Sequence, residues 1–116
     1  MQRLNKADFR KTPVLEDITF SAKAWKSKGQ GAWTFVTMPT DIADQIRFLM
    51  SGQKAKGWGM IKVKARIGSS DWDTTIWPDK TSDSYLLPLK AAVRKSEKIS
   101  EGDSVTVDLR LVLPGL

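Results

Sequence analysis

Cysteine and histidine are both missing from this 116-residue sequence. Without thiolate or imidazole ligands, zinc sites of the usual kind are excluded, as are disulfides. The same two absences remove Ser-His-Asp and Cys-His nucleophilic sites. Acid–base chemistry is left to Asp, Glu, Lys and the single tyrosine, Tyr85. The glycine pairs "GQG" at 29–31 and "GWG" at 57–59 are not followed by Gly-Lys-Ser/Thr, so no phosphate-binding loop is present. No catalytic residue, metal ligand or cofactor motif emerges from the residues. No apolar run approaches the roughly 20 residues that a membrane helix needs. The opening "MQRLNKADFRKTPV" has no continuous apolar stretch of the secretory kind. The expectation is a cytoplasmic protein without a membrane partner, monomeric or weakly self-associating.

Hydrophobic residues make up 41% of the chain, enough to fold one domain around one core. The net charge of +6 is unevenly spread. Residues 21–66 carry nine Lys or Arg against Asp41 and Asp44, a net +7, whereas 67–90 sum to −2. A basic half attracts polyanions and nucleic acid, and it serves solubility equally well.

Residues 1–15 are polar and without period, which predicts a loosely held tail before a single domain over 16–116. Ile18, Phe20, Ala22 and Ala24 alternate with polar residues, and "AWTFVTM" follows the "KGQG" turn, so a hairpin is expected. Trp33, in that second run, reads as a core residue. After Pro39, the spacing of Ile42, Ala43, Ile46, Leu49 and Met50 predicts a short amphipathic helix over 41–50. Ile61, Val63, Ala65 and Ile67 then face inward, with Lys62, Lys64 and Arg66 outward. The next strand sets Trp72, Thr74 and Ile76 on one side, and "WPDK" reads as a turn with Pro78 in its second position. Pro88 suits the first position of a second helix reaching Ser96. The last strand places Val105, Val107, Leu109, Leu111 and Leu113 inside and Thr106, Asp108 and Arg110 outside.

"MPTDIADQIR" and "LPLKAAVR" share an order of apolar residue, proline, helix and arginine. Each follows a strand and leads into a long alternating one. The expected fold is therefore mainly β, a small closed or double-split β-barrel of about six strands. Two short helices would cap it, and an internal pseudo-two-fold repeat would relate its halves.

Three stretches, "FSAKAWKSKGQGAWTFVTMP", "GWGMIKVKARIGSSDWDTTIWPDK" and "YLLPLKAAVRKSEKISEGDSVTVDL", resemble the bacterial domain-of-unknown-function family numbered nineteen-oh-five. That resemblance spans about 17–113 and implies a small, mostly β barrel with short helices. It brings no reaction and no site residues. The third stretch is also similar to the half-motif of swapped-hairpin (AbrB-like) regulators, in which two chains interlock into a double-split barrel that binds DNA. This implies more about fold than about function.

Candidate sites are non-catalytic. Lys62, Lys64 and Arg66 repeat at about 6.7 Å along one strand face. With Lys26, Lys28, Lys54 and Lys56 they can follow a phosphate backbone, or they are the charge that a solvated strand requires. Trp58, between two glycines, can stack on a base or cover a barrel end. Lys90 and Arg94, at i and i+4, can hold an anion, or Arg94 can pair with Asp103. Asp71 and Asp73 share a strand face without the ligand run of a calcium loop, and read as a solvated strand end. Three classes stay open: a binding module for nucleic acid or another anionic ligand, an interaction domain using exposed Trp, and an enzyme with a carboxylate or Lys site in a barrel-end pocket.

Overall fold

Alternation of apolar and polar residues makes strands, and here the strands close on one another. The computed structural model describes residues 14–28, 31–50 and 59–112. Its elements are β1 (Val14–Lys26), β2 (Thr34–Thr37), α1 (Thr40–Met50), β3 (Ile61–Ile67), β4 (Ser70–Asp79), β5 (Ser84–Pro88), α2 (Ala91–Ser96) and β6 (Ser104–Val112). The barrel order is β1-β2-β5-β4-β3-β6, closed, with antiparallel neighbours throughout.

That order has an internal symmetry. Exchanging β1, β2, α1 and β3 for β4, β5, α2 and β6 leaves every strand adjacency unchanged. The two proline-containing segments therefore occupy corresponding places, each carrying the chain from a short strand through a helix into a long strand that pairs with the other half. One chain supplies both halves of the barrel, and closure leaves no open sheet edge.

β6 pairs with β1 on one side and β3 on the other. Its Val105, Val107, Leu109 and Leu111 point into the core, where Leu109 and Leu111 are almost fully buried. β3 follows the alternation predicted for it, with Ile61, Val63, Ala65 and Ile67 buried. On the outer side of β6, Arg110 departs from expectation: it is only 7% exposed. Its register partner on β1 is Asp17, which accepts from Arg110 Nε at 2.7 Å and from Nη2 at 2.9 Å. A guanidinium needs such a two-pronged acceptor to leave water at tolerable cost.

The helix predicted over 41–50 forms over Thr40–Met50 and seats Ala43 and Ile46 on the core. Two boundaries differ from the sequence reading. β4 runs on through Pro78, which pairs with Tyr85, and the turn comes at 80–83. Pro78 stands next to the end of its strand, where a missing N–H is tolerated. Pro88 closes β5 opposite Phe35 instead of opening α2. Leu89 N–H donates to the Thr34 carbonyl at 2.9 Å, and Lys90 remains extended, so helix begins only at Ala91. The expected tail 1–15 falls outside the described residues, except that β1 already begins at Val14.

Tyr85, buried on β5, has its pKa raised above 10.0 by burial, against the lowering effect of the nearby Arg47 charge. The folded state thus holds the phenolic proton more tightly than the unfolded chain. The stability linked to Tyr85 is complete below about pH 10 and is lost as pH rises through the raised value. Because the chain has one tyrosine, alkaline difference absorbance reads this group alone. The expected midpoint lies above that of the same protein in concentrated denaturant; coincident midpoints would show an unburied phenol.

Candidate functional site

The end of β5 shapes the surface that follows. β4 and β5 pair at Trp77–Leu86, Pro78–Tyr85 and Asp79–Ser84. Continuing that register would set Leu89 opposite Thr74. At this point the chain turns away into α2, and β4 continues without β5 beside it. A cleft of about 260 Å³ results, between the segment entering β2 (Ala32, Trp33, Thr34), the start of β4 (Trp72, Asp73, Thr74) and the run from Pro88 to Arg94. Lys90 and Arg94 both belong to its wall.

Packing fixes each part of this wall. α2 is held to the start of β4 by Ser70 Oγ, which donates to the Glu97 carboxylate just beyond the helix and lies 3.2 Å from Ser96 Oγ at its end. Gly68, in the β3–β4 turn, has a φ of +59°, a left-handed conformation that favours glycine, and a Cβ there would push the flexible Glu97 carboxylate aside. Arg94 Nε donates to the Leu89 carbonyl at 3.1 Å, which ties the guanidinium to the turn before the helix. The expected pairing of Arg94 with Asp103 does not form. Asp103 instead accepts from the Ser100 N–H at 2.8 Å and closes the turn before β6. Among the described residues Arg94 makes no ion pair.

Trp33 corrects the sequence reading, since it is 53% exposed. β2 begins one residue later, and Trp33 instead closes the preceding loop by exchanging hydrogen bonds with Ser27. Its ring stacks on Phe35 at 6.1 Å and 10° and tilts against Trp77 at 5.4 Å. Trp25 completes the group, 5.2 Å from Phe35, with its indole N–H donating to Thr37 Oγ1. These four rings lie beside the barrel core rather than within its main cluster. Trp72 is in the core, 8% exposed, but its Nε1–H is buried with no acceptor among the described residues. A buried donor left in that state costs about 1–3 kcal/mol.

The basic ladder has a different setting. Lys64 pairs with Asp73 directly across from it on β4, at 2.6 Å, and Arg66 with Asp71, at 3.1 Å. Asp71 and Asp73 of the sequence's "SSDWDTTIWPDK" segment thus each face a cation of the preceding strand. Lys62 stands opposite Thr75 and is exposed. Lys26 and Lys28 are exposed as well, but at a distance. Lys64 lies level with Arg110 and hence with Asp17 of β1, nine residues before Lys26. At about 3.3 Å per residue that is roughly 30 Å along the strand. Trp58, Lys54 and Lys56 lie outside the described residues. The structure therefore brings Lys90 and Arg94 together in one cleft and spreads the ladder and Lys26 over different ends of the barrel.

The fold and surface define a class first: a small closed antiparallel barrel built from two strand–strand–helix–strand units. Within it, the chain belongs to the family of the domain of unknown function DUF1905, whose profile matches residues 20–109. No curated protein matches the chain. No helix among the described residues is long and apolar enough to cross a membrane.

Asp71 and Asp73 offset two of the three ladder cations, so removing their charge exposes Lys64 and Arg66. The Asp71→Asn/Asp73→Asn variant should elute from a heparin column at distinctly higher salt than the parent, more than the elution shift of an Asp41→Asn/Asp44→Asn control. Equal shifts for the two variants would mean that net charge alone is being read.

Proposed function

We propose that this barrel is a non-catalytic binding module whose ligand is a small anion, held in the cleft beside α2. What carries the reading is the presence in one cleft wall of two cationic side chains, Lys90 and Arg94, with aromatic and apolar neighbours. Ligand sites are typically concave, largely apolar and equipped with a few charged groups that fix orientation. Arg94 is tethered through Nε, and the rest of a guanidinium fork is suited to a carboxylate or phosphate. At about 260 Å³ the cleft suits a small molecule more than a polymer.

The nucleic-acid alternative would draw on Lys26, Lys28, Trp58, Lys62, Lys64 and Arg66. It is weakened by the two ion pairs that occupy Lys64 and Arg66. Calorimetric titration separates the two readings, using inorganic phosphate, benzoate and a short DNA duplex at two salt concentrations. Saturable binding of a small anion is expected, weakened at least about tenfold by Lys90→Gln/Arg94→Gln, with Lys62→Gln close to the parent. Absence of saturable anion binding, or binding indifferent to the double substitution, would overturn the proposal. Duplex binding that falls steeply with salt and depends on Lys62 and Lys26 would favour nucleic acid instead.

A further inference from the structure

We infer that the ligand of this cleft is a flat conjugated ring carrying a single acidic group and a hydrogen-bond acceptor. The inference rests on the anion-binding reading above and adds the chemistry of the rest of the molecule.

Trp33 and Trp72 carry it. Trp33 contributes a half-exposed indole to the cleft wall, and its contacts with Phe35 and Trp77 hold the ring in position. An exposed aromatic fixed by its neighbours is a platform for another flat ring, because stacking then needs little further ordering. Trp72 belongs to the same wall, and its buried Nε1–H has no acceptor among the described residues. Buried N–H groups in folded proteins are nearly always paired, so an orphan beside a cleft calls for an acceptor from the occupant. Pro88 and Leu89 add apolar surface that favours a ring over a hydrated sugar or polyphosphate.

Charge limits the occupant further. Asp73 shares this wall, and its carboxylate is exposed although paired with Lys64. A ligand with several negative groups would meet that carboxylate, whereas one acidic group can lie against Lys90 and Arg94 and leave the ring elsewhere. The volume, near the lower end for ligand pockets, suits one ring and one acid.

The test compares carboxylates of similar size and equal charge: nicotinate and isonicotinate (flat, with a ring acceptor), benzoate (flat, without one) and cyclohexanecarboxylate (neither), with inorganic phosphate as the bare anion. Affinities are measured by calorimetry, and the indole N–H resonance of Trp72 is followed in a proton–nitrogen NMR spectrum. Benzoate should bind about fivefold more tightly than cyclohexanecarboxylate, and Trp33→Ala should erase that difference. At least one pyridine carboxylate should bind more tightly than benzoate and move the Trp72 N–H resonance downfield, as a newly formed hydrogen bond does. Trp72→Phe should remove this second preference; should that variant fail to fold, the resonance shift in the parent protein decides. Equal affinity for all the carboxylates, still sensitive to Arg94→Gln, would overturn the inference and leave the anion reading standing. If no anion saturates the protein, both fall.

Discussion

Closure of the sheet through β6 is the constraint on which the rest of the structure depends. β6 is the last strand in sequence, yet it lies between β1 and β3, so the barrel is incomplete until the chain has nearly ended. Its inward residues fill the core, and on its outer side Arg110 is clamped by Asp17, 93 residues away. With β6 in place no edge remains open, and the inner faces of all six strands share one dry interior. Every surface feature is positioned by that closed wall.

The cleft follows from a departure within the same wall. Two proline-containing segments, each after a short strand, leave the sheet for a helix, and the barrel is symmetric in its adjacencies about that exchange. The halves nonetheless differ in their side chains. The first carries α1, eleven residues long, packed over the core through Ala43 and Ile46. The second carries α2, of six residues, with Lys90 and Arg94 beside an open seam. A repeated architecture has thus been given two surfaces, one closed by apolar packing and one open and cationic. Two of the three cations on the basic strand, Lys64 and Arg66, are answered by acids of the strand beside it, while Lys62 faces Thr75. On the basic strand two cations are engaged by ion pairs, whereas Arg94 in the cleft makes none among the described residues.

Much of the architecture was legible because the period-two patterns of β3 and β6 are long and unbroken, as is the 3.6-residue pattern of α1. The echo of the two proline segments conveyed the repeat. Boundaries at Pro78 and Pro88 were not legible, since proline suits a turn or a helix start as well as a strand end. The choice at Pro88 is made by the Leu89–Thr34 hydrogen bond, between segments far apart in sequence. Arg110 looked like an outward charge because its partner lies at the other end of the chain. Trp33 looked like core because the hairpin loop takes two more residues, Ala32 and Trp33, than its pattern indicated. Lys90 and Arg94 were readable as a pair of cations four residues apart, and both line the cleft. The aromatic wall beside them was not, because Trp33 and Trp72 come from two separate segments, both distant in sequence from Lys90.

The central claim is that the ligand is held by the cations of the cleft and not by Lys64 and Arg66 of the ladder, which are ion-paired. Arginine side-chain Nε–H resonances, followed by NMR as inorganic phosphate is added, report on this directly. The account predicts that the Arg94 resonance moves along a saturating curve while that of Arg66, held by Asp71, stays in place. Saturable movement of Arg66 with Arg94 unaffected would contradict it.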